Sequence, residues 1–208
     1  NYIPSAIKSD QWGNIYVCGY LMDPETNDMK YYITLKYSSN GILQWHNAFT
    51  KGYSEICTDA EIDDYGNVYV TGGCQIMQSG SNDIVTVKYN LAGAQQWVRI
   101  FIGTGSGYDI ALDLEIDNSS NIILAGYTKS TGTSNDFLTL KYNSSGTQLW
   151  SKLYSGPYDD RAVNLVPDNN NNIYVTGYRS TVSNLDNQMM TIKYSSSGDV
   201  QWARLYGD

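Results

Sequence analysis

Charge is scarce in this chain. Only 16% of its 208 residues are charged, and basic residues are the minority, 13 Lys and Arg against 21 Asp and Glu, for a net charge of −8. Nucleic acid needs clustered Lys and Arg, so the balance argues against that partner. An acidic surface identifies no other partner, since solubility alone accounts for it. The single histidine, His46, belongs to no repeated position, so a Ser-His-Asp set finds no support. There is no Cys-His zinc pattern and no Gly-rich phosphate loop after a strand. Three cysteines are an odd number and exclude a full disulfide framework. No run of about 18 apolar residues occurs, so no segment reads as a membrane-spanning helix. An initiator Met and a signal peptide are also missing, and Asn1 already lies inside a repeat unit. A processed or excised piece of something longer is expected.

What the chain has in abundance is itself. Trp45, Trp97, Trp150 and Trp202 lie 52, 53 and 52 residues apart. Lys36, Lys88, Lys141 and Lys193 keep the same spacing, as do Gly41, Gly93, Gly146 and Gly198. A turn of the form Asp-x-x-x-Asn recurs as Asp10/Asn14, Asp63/Asn67, Asp117/Asn121 and Asp168/Asn172. A period near 50 residues with strand signals predicts a propeller or another repeat array. Each unit then needs its neighbours to cover its apolar faces, which overrides any domain count from length.

The third unit shows the pattern best. Residues 108–116 alternate and read as a strand, followed by the Asp117–Asn121 turn. A short apolar run, 122–127, ends at a Gly-Tyr pair. A polar loop leads to a third strand around 136–142, and a turn ending at Gly146 feeds a fourth, which carries Trp150. Four short strands joined by hairpin turns leave no room for a helix. The expectation for the whole chain is an all-β propeller of four-stranded antiparallel blades, spanning roughly 1–50, 51–103, 104–155 and 156–208. Radial stacking of twisted sheets is the propeller's answer to exposed strand edges.

Residues 172–178 (Asn-Ile-Tyr-Val-Thr-Gly-Tyr), followed by Thr191-Ile192-Lys193-Tyr194 and Gln201-Trp202, resemble the seven-bladed β-propeller repeat family of bacteria and archaea. The likeness covers essentially all of the chain. It implies the fold and an extracellular or cell-surface setting, and it brings no common catalytic residues. Four units could close alone, pair with a second chain, or belong to a larger ring. The larger ring is favoured, because the resembled family builds larger rings.

The first strand of each blade is expected to line a central channel. Its alternate positions carry Glu55, Cys57, Asp59 and Glu61 in the second unit, and Asp109, Ala111, Asp113 and Glu115 in the third. Asp59, Glu61, Asp113 and Glu115 are the candidate ligand-binding acids, able to hold calcium through oxygen ligands at an acidic channel mouth. The competing structural reading pairs these carboxylates with the repeated lysines, one per blade, because an unpaired buried charge is costly. The Asp-x-x-x-Asn turns lack the spaced donors of a calcium loop and read as structural turns.

The recurring Trp set reads as packing between sheets. Trp12 and Tyr65 sit in turns and do not recur in all four units, so their rings are candidates for stacking on a sugar or a partner side chain. The variable stretches 21–29, 75–82, 128–135 and 179–187 fall at one place in every unit, where binding is sought in repeat arrays. Cys57 and Cys74 are symmetric about the Tyr65–Gly66 turn, so a disulfide between them and a pair of buried thiols are both open. Cys18 stands where other units have Thr71 and Thr176 and reads as packing.

The functional expectation is a non-enzymatic extracellular scaffold with a protein or glycan partner. The alternative is a hydrolase- or lyase-like enzyme with an acidic site at the channel mouth. A third reading is self-association through open blade edges into a surface or filament assembly.

Overall fold

The computed structural model describes residues 1–207 apart from 26–28, 78–79, 132–133, 157 and 183–185. Within them the chain is all-β, with sixteen strands in four antiparallel sheets and no helix. Blade 1 holds β1 (Tyr2–Ser9), β2 (Ile15–Met22), β3 (Met29–Tyr37) and β4 (Leu43–Phe49). Blade 2 holds β5 (Ser54–Ile62), β6 (Val68–Gln75), β7 (Asn82–Tyr89) and β8 (Gln95–Phe101). Blade 3 holds β9 (Ile110–Ile116), β10 (Ile122–Lys129), β11 (Asn135–Tyr142) and β12 (Gln148–Tyr154). Blade 4 holds β13 (Asp160–Pro167), β14 (Ile173–Val182), β15 (Asp186–Tyr194) and β16 (Val200–Tyr206). Strands follow chain order across every sheet, a propeller-like plan of four blades. The chain divides into two compact units, Asn1–Phe101 and Ile102–Asp208, of two blades each.

One irregularity recurs in the first strand of every blade. Ser5, Thr58, Leu112 and Val163 are extra residues opposite the second strand, so each first strand carries a β-bulge. A bulge inserts one residue and reverses the facing of everything beyond it. Its partner is a glycine. A Cβ on Gly19, Gly72, Gly126 or Gly177 would sit 2.1, 1.9, 2.0 or 1.9 Å from the carbonyl oxygen of Ile3, Ile56, Ile110 or Arg161. Only a residue without a side chain lets the strands approach so closely. The bulge overturns the simple alternation expected for these strands. The buried apolar positions around the bulge are Cys57 and Ala60, Ala111 and Leu114, Ala162 and Leu165, three residues apart rather than two.

The Asp-x-x-x-Asn turns share one hydrogen-bond pattern. Asp10 Oδ1 accepts from the backbone N–H of Trp12 and Asn14, while Oδ2 accepts from Asn14 Nδ2 and Tyr16 Oη. Asp63 and Asp168 repeat the set, and Asp117 repeats it with Ile123 in place of the Tyr. The fourth turn residue is left-handed throughout: Gly13, Gly66, Ser120 and Asn171 have φ of 78°, 76°, 59° and 60°.

Within each unit the blades pack face to face. Tyr16, Cys18, Tyr32 and Phe49 of blade 1 meet Val70, Val85, Val87 and Tyr89 of blade 2 in one buried cluster. Ile123, Ala125 and Phe137 of blade 3 meet Ile173, Val175, Ile192 and Tyr194 of blade 4 in another. The recurring Trp and Lys join the blades at the rim. Trp45 Nε1 and Lys36 Nζ both donate to the Leu91 carbonyl oxygen in the next blade's last turn, at 3.1 and 3.3 Å. Trp150 and Lys141 do the same to Ser196, at 3.2 and 3.3 Å. The indoles also meet the next blade's rings, with Trp45–Tyr89 and Trp150–Tyr194 centroids 6.2 and 5.9 Å apart. Each such ring pair adds about 0.5–1.5 kcal/mol beyond its buried area.

Candidate functional site

The first-strand acids fall into two groups once the bulge is taken into account. Glu55, Asp109 and Asp160 precede it and are fully buried. Glu55 Oε1 accepts from Thr50 Oγ1 and from the N–H groups of Lys51 and Gly52. Asp109 takes Gly103 N–H, Thr128 Oγ1 and Lys129 N–H, and Asp160 takes Gly156 N–H at 2.6 Å. Each carboxylate thus anchors the loop that enters its blade. Burial raises the pKa of Asp160 against the backbone donors and Arg179 that lower it. In blade 1 the matching place, opposite Leu21, holds the exposed Tyr2, which carries no carboxylate.

Asp59, Glu61, Asp113 and Glu115 lie on or beyond the bulge. Asp59 and Glu61 both pair with Lys8 of blade 1's first strand, Asp59 at 3.9 Å and Glu61 more closely. Asp113 Oδ2 accepts the Leu165 N–H of blade 4's first strand at 2.6 Å. Glu115 is half-buried opposite Ile123. Asp59, Glu61 and Asp113 therefore tie neighbouring first strands together within each compact unit. Lys8 was missed in the sequence because it belongs to no repeated set.

The repeated lysines take a different anion from the one expected. Lys141 Nζ lies 2.8 Å from Asp117 Oδ2, in the blade's own turn. Burial works to raise the Asp117 pKa, and the hydrogen bonds from Lys141 and Asn121 overcome it and hold the carboxyl below its ordinary value. Burial depresses the ammonium pKa of Lys36 and Lys88, opposed by Asp10 and Asp63. The turn Asp, not the first-strand acid, is thus the lysine's counter-charge. The strand period hid this, since turn and lysine are separated by a whole hairpin in sequence.

Trp12 and Tyr65 are 53% and 73% exposed at the same turn position of successive blades. The turns touch: Gln11 Nε2 donates to the Asp64 carbonyl, and the Trp12 ring lies beside Gly66. In the second unit Asn118, Ser119 and Asn171 make the corresponding turn-to-turn bonds. The variable stretches reach residues 26–28, 78–79, 132–133 and 183–185, which lie outside the described residues.

All three cysteines are buried and free, and Cys57 does not meet Cys74. The hairpin turns about Tyr65 alone, and the extra Thr58 shifts the register again, so Cys57 stands opposite Gly72 and Cys74 opposite Glu55. The Cys74 thiol is pushed up to about 12 by burial and by Glu55, 3.7 Å away. Cys57 instead touches Cys18 of blade 1.

On the calcium expectation, no group of three or more His, Cys, Asp or Glu side chains converges among the described residues. An apolar recess of about 360 Å³ opens on blade 1 between Val17, Gly19, Tyr20, Ile33, Leu35 and His46. No helix among the described residues is long and apolar enough to cross a membrane.

No protein-family profile and no curated protein sequence matches the chain. Among solved structures it is similar to a PL25-family ulvan lyase bound to -[GlcA(1-4)Rha3S]-, at 11% identity and a TM-score of 0.56. A second ulvan lyase structure aligns at 12% identity and a TM-score of 0.53. The matches cover 100% and 99% of this chain, which spans 57% of the length of each lyase. At such identities the likeness is one of fold: the chain is a β-propeller-like array of four blades.

Proposed function

We propose that this chain is a non-enzymatic extracellular propeller module, a scaffold that presents its turn face to a protein or glycan partner. The observation that carries the reading is the engagement of the first-strand acids. Asp59 and Glu61 bind Lys8, and Asp113 holds the Leu165 N–H, so these carboxylates work as struts between blades. The exposed Trp12 and Tyr65 rings offer apolar faces with polar tips, the kind of surface on which sugars and side chains stack. The solved ulvan lyase bound to sugar shares the fold, which makes acidic polysaccharides the first glycans to test.

The test is titration calorimetry against a polysaccharide panel, with ultraviolet detection of unsaturated uronate products. Binding that weakens at least tenfold in Trp12→Ala and Tyr65→Ala, without product formation, supports the scaffold. Product formation that Asp113→Asn abolishes while leaving the melting temperature unchanged would instead establish the enzyme reading.

A second reading, self-association, draws on blade 4. Met189 and Tyr206 occupy the places of Tyr32 and Phe49 in blade 1. They are 58% and 80% exposed, against 1% and 7% where blade 2 covers the blade 1 pair. Val17, Ile33 and Leu35 on blade 1 likewise match Val70, Val85 and Val87, which are buried against a neighbour. The blade 1 face of a second copy is the complementary occupant for blade 4. Sedimentation should then show concentration-dependent association that Leu35→Lys abolishes, and a monomer at all concentrations removes this reading.

A further inference from the structure

Two of the three buried thiols touch. Cys18 on β2 and Cys57 on β5 are 39 residues apart in sequence and on different blades, yet their Sγ atoms are 2.9 Å apart. Unbonded sulfur atoms pack farther apart than this, and a disulfide closes the gap to about 2.05 Å. The repeat supplies a second, independent observation. The same two places in the other unit, one residue before the close-approach glycine and opposite it, are Ala125 and Ala162. Both are buried in one cluster, so a pair of methyl groups suffices to fill this position between blades. In the first unit both members of the pair are cysteine, in a chain with only three. Cys74 lies elsewhere, with its Sγ near Glu55.

We propose that Cys18 and Cys57 form a disulfide that locks blade 1 to blade 2 and leaves Cys74 as a thiol. With a small disulfide such as oxidised glutathione as oxidant, the balance is closed. One protein thiolate attacks the glutathione disulfide and releases one glutathione thiolate. The second protein thiolate then attacks the mixed disulfide, forms the Cys18–Cys57 bond and releases the other. Two protons leave the protein thiols and protonate the two departing glutathiones. The bond closes a long loop through two blades, which restricts the unfolded chain and holds the first blade of the array against fraying.

The inference is independent of the scaffold reading and is tested on the whole chain. The protein is refolded in a glutathione redox buffer, then denatured, alkylated and mapped by mass spectrometry. The expected result is a mass lower by two hydrogens, a linked Cys18–Cys57 peptide pair and alkylation at Cys74 alone. The melting temperature should rise by several degrees over the reduced protein and fall back with dithiothreitol. Cys57→Ala should abolish the link and the shift, and Cys74→Ser should keep both, so the pairing stays testable where Cys57→Ala fails to fold. Three alkylated thiols, or a link that includes Cys74, would overturn the proposal.

Discussion

The buried pair Lys141–Asp117 is the most exacting test of how this repeat is held together. Both side chains are sealed, at 2% and 0% exposure, with 2.8 Å between Nζ and Oδ2. Lys141→Met keeps most of the stem beside Trp150 and removes the charge. Asp117 then retains the N–H groups of Ser119 and Asn121 and the Asn121 amide, but no cation. Breaking a buried pair costs about 3–5 kcal/mol, and the surviving amide donors place this case near about 3 kcal/mol. In a chain of this size that corresponds to a fall of roughly 6–12 °C in melting temperature. Asp117→Asn should cost a similar amount, because it leaves a buried ammonium with neutral partners, the Ser196 carbonyl and the Trp150 ring among them, and no counter-charge in that turn. The double variant removes both charges, so it should be more stable than the sum of the singles by about 2–3 kcal/mol. Urea unfolding of the four proteins measures this directly. Singles that add to within about 0.5 kcal/mol of the double would refute the pairing as the source of the stability. There is also a pH signature. The Asp117 carboxyl is held below its unfolded value, so the pair's contribution is complete above about pH 4 and is lost as pH falls through the folded-state value. The Lys141→Met penalty should therefore shrink in acid.

Three further outcomes follow from the repeated contacts. Ser120→Gly should raise stability by about 0.5 kcal/mol in urea unfolding, the left-handed strain of Ser exceeding the added entropy of Gly, whereas Asn171→Gly should gain less. Asp109→Ala strands the N–H groups of Gly103 and Lys129 and should cost about 3 kcal/mol, with faster proteolysis within 102–107 as the local readout. Overall stability should fall below about pH 4, because Asp10, Asp117 and Asp168 all have folded-state pKa values below their unfolded ones. Asp160 runs the other way: its raised pKa makes its charged form a cost that disappears as pH falls, so Asp160→Asn should steepen the net acid loss. A pH-resolved melting series on both proteins checks the sign.

The amino-acid sequence by itself determined the four units, the four strands in each, the turns between them and the interblade role of Trp45 and Trp150. These follow from period and local chemistry: alternation makes strands, Asp and Asn make turns, and a ring recurring once per blade must pack against a neighbour. What it could not determine was which side chains meet. A single extra residue, Ser5, Thr58, Leu112 or Val163, reverses the facing of the rest of a first strand. That is why Glu55 and Asp59, two on the same face of an ideal strand, do separate jobs. The lysine's choice of the turn Asp over the strand acid, and the meeting of Cys57 with Cys18 rather than Cys74, were settled only across hairpins and between blades. Local periodicity carries no information about distances of that kind, because tertiary packing sets them.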